Sequence, residues 1–454
     1  MPERPYPRLE VFERLHISDG LAINADRWQQ AHTYHRQRQN FQYQSLHEPG
    51  IVYGLGVSIV PDQPDDRLLH IQPGVAIDIL GNPIVVPQVE EFCITSEPDA
   101  GQAMLVYLAV NHVDPDDLRR ATTAKTVRET FRIVEKLHLD PRDVEICRID
   151  LQSGFAGIHL PENVFAPTAN QLDFRGRCQP QLHPQFRVQV GQVTSNHSTD
   201  AITQMGLSDL LRSLPALYPA LRGQPTVQTY SAQTLGRSAL DCQLLYVPYA
   251  VLLTLPNPAL QKLQTFLTQG AVVLVTIDFA EAELLDLLQI SQELHIGLKE
   301  AERDPDLFDQ TGAQLEAEIA AIATAVTQRL VEIQQELGAI APQLGLDLSE
   351  SGELAIDHPL RWQPFTFSQF PTRFDQPIYV RAWGGLVLLV GDLSQSWGRT
   401  AQPEVPRDVL RSAQEWGINL LHFAAQRHQW TQAMQPVPST ARSTDSLQQR
   451  VQEV

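Results

Sequence analysis

Cysteine is scarce in this 454-residue chain. Four are present, Cys93, Cys147, Cys178 and Cys242, far apart and with no CxxC pair. That spacing excludes zinc-finger and dithiol redox motifs and fits buried thiols in a reducing compartment. Long apolar runs are missing too. None reaches the roughly 18 residues that a spanning helix needs. The richest, Leu240 to Leu260, is broken by Pro248, Pro256 and Pro258. The opening MPERPYPRLEVFERLH has no apolar core, so a secretory signal is not expected. Without one, the glycosylation-type triplet Asn196-His197-Ser198 carries no meaning. A cytoplasmic protein with no direct membrane insertion is the expectation. Positive charge is the third shortage: 34 Lys and Arg against 53 Asp and Glu give a net charge of -19. A phosphate backbone needs a basic face, so a general nucleic-acid binder is excluded. The acidity reads as a device for solubility.

What is present is the composition of a folded protein, 43% hydrophobic and 19% charged. At this length two or three domains are expected. Asn24 is a good helix cap for ADRWQQAHTYHRQRQNFQYQSLHE. Trp28, Ala31, His35, Arg38 and Gln42 fall on neighbouring turns, a weakly apolar face suited to another surface or another subunit. Pro49-Gly50 ends the helix. Short β-rich runs follow: IVYGLGVSIV, LLHIQPGVAIDI, PIVV and MLVYLAV. Leu69 and Ile71, then Val75, Ile77 and Ile79, alternate as in a half-buried sheet. Leu80-Gly81-Asn82-Pro83 reads as a tight turn. A helix near Thr126 to Leu139 and a strand at Val144 to Leu151 complete a docking module, 1–151. Residues 152–195, rich in Pro, Gln and Arg, read as a connector.

The second half has another rhythm. Val227 to Ser231 and Leu244 to Tyr249 predict strands. Pro258 to Thr268 predicts a helix with proline in its first turn. Gly270 stops it, and AVVLVTI is a strand buried on both faces. Glu281 to Ser291 is helical again. This β-α-β-α order predicts a doubly wound parallel sheet over 196–295 and 356–430. The fold class is thus multidomain, α+β followed by α/β. A helical insertion, 296–355, interrupts the sheet domain. In it Leu315, Ile319, Ile322, Val326, Leu330, Ile333 and Leu337 form one stripe at 4-3-4-4-3-4 spacing. That stripe suits either packing within the domain or a coiled-coil arm that meets another subunit. Gly384-Gly385 reads as a hairpin turn, Arg407 to Trp430 as a closing helix, and 431–454 as a flexible tail.

Several residues invite a chemical reading. His32 and His35, with His47 nearby, could hold a metal, yet no carboxylate or cysteine completes a ligand set. Asp278 and Asp392 each follow an apolar strand, where open α/β sheets bind ligands, or each caps the next turn. Gly54-Leu55-Gly56 and Gly384-Gly385 are too sparse for a phosphate loop. Trp383, Trp397, Trp416 and Trp430 read as core or interface residues, since no basic residues interleave with them. No catalytic, cofactor-binding or metal-ligating residue is therefore assigned, and no cofactor is implied.

Two resemblances add to this reading. In the first half the order Asp19-Gly20-Leu21, Asp26-Arg27-Trp28, Tyr34-His35-Arg36-Gln37-Arg38, Leu46-His47, Gly50 through Val57, Gln72 through Asp78 and Gly81 through Val86 is similar to a module encoded in bacterial gene clusters for phage-tail-like contractile injection systems. Arg148-Ile149 and Leu172 through Arg175 continue it. The resemblance implies a structural role as a baseplate, fibre or cage component, particle-associated, in multiple copies among other subunits, without catalytic residues. In the second half Leu244 through Val247, Leu260 through Gly270 with the next strand, Trp383 through Trp397 and Gly417 through Leu420 resemble an uncharacterised bacterial domain related in fold to class I glutamine amidotransferases. That chemistry needs a cysteine on a strand-to-helix turn and a histidine to activate it. Asp278 and Phe279 follow the AVVLVTI strand instead, and Cys242 precedes a strand. The resemblance therefore implies the fold and not the reaction. The alternative it leaves is a soluble enzyme or ligand sensor built on this domain.

Overall fold

The computed structural model describes residues 11–60, 67–114, 126, 129–154, 157–195, 199–303, 305–373, 376–398 and 406–435, and for 305–310 the backbone alone. The glycosylation-type triplet and residues beyond 435 lie outside that set. Two compact units are present, Met1–His183 and Pro184–Val454.

In the first unit, helix α1 (Ala25–Leu46) starts where the Asn24 side chain accepts from the Arg27 N–H at 2.9 Å. Strands β1 (Gly50–Gly54), β2 (Val57–Ile59), β3 (Leu68–Ile71), β4 (Gly74–Ile77), β5 (Pro83–Val86) and β6 (Glu90–Cys93) form two antiparallel sheets, ordered β1-β4-β5 and β2-β3-β6. A third sheet combines β7 (Ala103–Val113), β8 (Thr130–Lys136), β9 (Val144–Gln152) and β10 (Leu172–Asp173) in the order β10-β9-β7-β8. The inward residues of all three share one core, with Leu55, Leu69, Ile71, Ile84, Leu108 and Ile146 fully buried.

One expectation fails here. The segment read as a helix near Thr126 to Leu139 contains β8, paired antiparallel with β7 from Thr130↔Val113 to Lys136↔Tyr107. Thr130, Phe131, Ile133 and Val134 are β-branched or aromatic, and the pairing with β7 lets Phe131 and Ile133 pack on the core.

The second unit opens with β11 (Phe186–Val188) and β12 (Val190–Thr194), followed by α2 (Thr199–Leu217), β13 (Leu221–Gly223), β14 (Gln228–Ser231) and β15 (Leu244–Pro248). Next come α3 (Tyr249–Leu253), α4 (Asn257–Thr268), β16 (Val272–Ile277), α5 (Leu285–Ala301), α6 (Pro305–Gly338), α7 (Ala341–Leu344) and α8 (Pro359–Trp362). The small pair β17 (Thr372–Arg373) and β18 (Gln376–Pro377) precedes β19 (Tyr379–Trp383), β20 (Leu386–Val390) and α9 (Arg407–Met434). The main sheet runs β14-β12-β15-β16-β20-β19, parallel except for β19. Strand β12, within the stretch read as connector, is therefore a core strand. Gly384 and Gly385 make the two-residue turn between β19 and β20, with Gly384 at φ 59°.

The sheet is covered on both sides, which is why β16 is buried along its whole length. Val273 and Val275 face α4 residues such as Leu263 and Phe266, while Val272 and Leu274 face Leu210 of α2 and Leu421 of α9. The predicted stripe on α6 divides. Val326, Leu330, Ile333 and Leu337 enter the core beside α4. Leu315 and Ile319 stay half-buried, and α6 packs against α5. Tyr249 donates to the Glu336 carboxylate at 2.7 Å, and the Arg329 guanidinium to the Ala282 carbonyl at 3.0 Å, tying the last turns of α6 to the sheet domain.

Candidate functional site

The carboxyl ends of the parallel strands are where a ligand site belongs in this topology, at the point beside β12 where strand order reverses. Asp278 and Asp392 follow the carboxyl ends of β16 and β20, away from that reversal and in different settings. Asp278 accepts from the Ala280 N–H at 3.0 Å and shapes the turn after β16. Asp392 accepts from the Ser394 N–H at 2.9 Å and the Ser394 hydroxyl at 2.6 Å. Burial raises its carboxyl above the usual carboxylate range, against the pull of Ser394, Tyr246 and the Arg373 charge. Tyr246 is driven well up by burial and by Asp392, and its hydroxyl also meets Thr276 and Thr203. Gln192 of β12, 1% exposed, donates to the Asp200 carbonyl at 3.0 Å, while its Oε1 has no partner. These polar groups lie beneath α2. Gly206 of α2 rests so closely on the Ser394 carbonyl that a Cβ there would collide with it. The cluster clamps α2 to the sheet.

Cys242 precedes β15 and so lies at the opposite, amino end of the sheet. Cys242 is 3% exposed, and burial pushes its thiol up to about 12. Cys147 in the first unit is pushed up to about 12 for the same reason. A thiol held protonated at neutral pH does not attack.

The first unit presents a different kind of surface. The Leu80–Pro83 turn receives α1. Asp78, 4% exposed, accepts from the Leu80 and Asn82 N–H groups at 2.9 and 2.8 Å, and Asn40 of α1 donates to the Asn82 side chain at 2.6 Å. Gly81, at φ 79°, lets the α1 backbone at Asn40 lie directly against the turn. Phe12 covers another flank of α1, 5.3 Å from Phe41 and 6.4 Å from Tyr34 between ring centroids. Trp28, His32, His35, Gln39, Gln42 and Leu46 are exposed at 4-3-4-3-4 spacing, one seam along the helix with apolar groups at its two ends. Trp28 is 58% and Leu46 is 49% exposed. Of the face read from the sequence, Trp28, His35, Arg38 and Gln42 are exposed and Ala31 is half-buried. A second apolar row crosses the nearby sheet, where exposed Tyr53 and Val85 flank half-buried Val75 on β1, β5 and β4.

The histidines have ring neighbours. His32 is 5.5 Å from Trp28 and His35 is 5.3 Å from Tyr34. His47 forms a bridge with Leu182. Among the described residues no group of three His, Cys, Asp or Glu is placed to hold a metal ion. Gly54-Leu55-Gly56 makes the β1–β2 connection, and the Arg177 guanidinium donates to the Gly54 and Leu55 carbonyls at 2.7 and 2.8 Å. Trp383, Trp397 and Trp416 are buried, whereas Trp430 is 59% exposed. No described helix is long and apolar enough to cross a membrane.

No protein-family model matches the chain, and no curated protein matches it. Among solved structures, a crystal structure of TssK is similar over 45% of this chain and 48% of that one, about half its length, at 12% identity and a TM-score of 0.21. A likeness that low carries no argument about fold or function.

Proposed function

We propose that this chain is a non-catalytic structural subunit, of baseplate, fibre or cage type, in a phage-tail-like contractile injection particle. The observation that supports an assembly role is the open α1 seam, with large apolar groups at both ends and the exposed Tyr53 and Val85 nearby. The ordered residues from Asp19 to Val86 that resemble injection-system modules point that role toward such a particle. In this reading the first unit docks through the α1 seam and the β1-β4-β5 face, several copies enter each particle, and the α/β unit is a rigid platform. The closed cluster around Asp392 and the buried thiol of Cys242 fit a platform better than an amidotransferase. The particle would be assembled in the cytoplasm and would reach a membrane only through partners.

The test is isolation of sheathed particles from the native host, with mass spectrometry of their subunits. The wild-type chain is expected in multiple copies per particle. A Trp28→Glu/Leu46→Glu variant that keeps its wild-type circular dichroism should fall at least tenfold in particle occupancy. Absence of the wild-type chain from sheathed particles overturns the proposal. Full incorporation of the double variant overturns the role of the α1 seam.

A further inference from the structure

A cavity of about 240 Å³ opens at the edge strand β19, along Tyr379 to Arg381, which pair with the carboxyl half of β20. Arg381 of β19 and Arg361 of α8 both line it, with Phe370 and Tyr379 as aromatic walls and Leu330 and Ile378 as apolar ones. Arg381 is 9% exposed, and burial pulls its guanidinium down from its ordinary range. Its partners are neutral: the Leu330 carbonyl at 3.4 Å and the Gln334 side-chain oxygen. Arg361 likewise donates to the Leu354 and Ser368 carbonyls, at 3.5 and 3.1 Å, with its guanidinium 5.1 Å from the Phe370 ring centre. The Arg361 Nε–H is buried and has no acceptor. Among the described residues neither guanidinium has a carboxylate in ion-pair contact. Buried cations ordinarily have an anion, and buried donors ordinarily have an acceptor.

We infer that this cavity is a binding site for a small carboxylate, held by the charge of the Arg381 and Arg361 guanidiniums that line it. The carboxylate class follows from the walls. A guanidinium fork matches a planar two-oxygen anion, and the aromatic and apolar walls suit a short hydrocarbon body. The volume lies below the roughly 300 Å³ at which drug-sized pockets begin, which selects a ligand of metabolite size. The chain's charge of -19 repels a dianion more than a monoanion, which disfavours inorganic phosphate. Glu353 lines the same cavity, is exposed, and supplies the charge that acts on Arg381. It is the built-in competitor for the site. The inference does not depend on the injection-particle reading and stands if that reading fails.

Isothermal titration of the full-length protein with benzoate, and separately with inorganic phosphate, tests it. Wild type should bind benzoate with a measurable heat at millimolar ligand, and phosphate at least tenfold more weakly. Arg361→Gln, checked for wild-type circular dichroism, should lose at least tenfold in benzoate affinity. Glu353→Gln should gain severalfold, because the competing carboxylate is gone. Because Arg381 also ties β19 to α6, Arg361→Gln is the deciding variant. No benzoate binding by either wild type or Glu353→Gln overturns the site. So does undiminished binding by folded Arg361→Gln, or phosphate binding as tight as benzoate.

Discussion

Gly206 of α2 and the carbonyl of Ser394 are in contact so close that only a residue without a Cβ fits between helix and loop. The obstacle is backbone, which cannot rotate aside as a side chain would. Gly206→Ala should therefore cost about 3 kcal/mol, at the upper end of overpacking penalties. Gly297, on α5 with nothing near its missing Cβ, is the contrasting position. Gly297→Ala should stabilise by about 0.5–1 kcal/mol through helix propensity. Urea unfolding of the two variants beside wild type checks both signs.

Asp392 gives a pH signature. Its carboxyl is raised in the folded protein, so the folded state holds that proton more tightly than the unfolded chain does. The stabilisation from this group is full below the unfolded value of about 4 and is lost as pH rises through the folded value. Asp392→Asn removes that dependence. The stability difference, variant minus wild type, should grow as pH rises from about 4 toward neutrality. Chemical denaturation of both proteins across that range would read it; a flat difference would mean that Asp392 is not raised.

The cysteines should separate by reactivity. Cys178 is exposed, whereas Cys147 and Cys242 are buried with thiols pushed up to about 12. A thiol reagent at pH 8 should label Cys178 quickly, and Cys147 and Cys242 only after denaturation. Cys178→Ser should abolish the fastest phase and leave the slower labelling of half-buried Cys93. Rapid labelling of Cys242 in native protein would reopen the case for a nucleophile on the α/β unit.

Arg177→Met should destabilise the first unit by about 2 kcal/mol, the range for hydrogen bonds to a charged group. The Gly54 and Leu55 carbonyls would lose their donor while the aliphatic stem is kept. Hydrogen exchange should show faster opening of β1 and β2 than of β15 and β16.

Parts of this structure were plain in the sequence for local reasons. AVVLVTI is apolar at every position, so it had to be covered on both faces, and it is β16. The Asn24 cap and the Gly384-Gly385 turn depend on nearest neighbours and were legible for the same reason. Val190–Thr194 was not. Gln192 and Thr194 make it look like a connector, and only the Asp200 carbonyl, reached through the fold, makes a buried glutamine tolerable. The helix reading of β8 overlooked Thr130, Phe131, Ile133 and Val134, β-branched or aromatic residues that favour a strand and pair with β7. The seat of Phe12 on α1 depends on Tyr34 and Phe41, far along the chain, and the Arg361–Arg381 cavity on segments 20 residues apart. Neither leaves a periodic trace.

The bonds from the 177–183 stretch also set an order of events during synthesis. Arg177 holds the β1–β2 connection, and His183 reaches the Gln44 and Leu46 carbonyls at 3.0 and 2.9 Å. A nascent chain that has emerged only as far as β9 has every strand of its first two sheets but none of these ties. The N-terminal part can condense early, yet it locks only when residues more than a hundred positions downstream leave the ribosome. A gene fragment that stops at residue 151 would leave that lock permanently open.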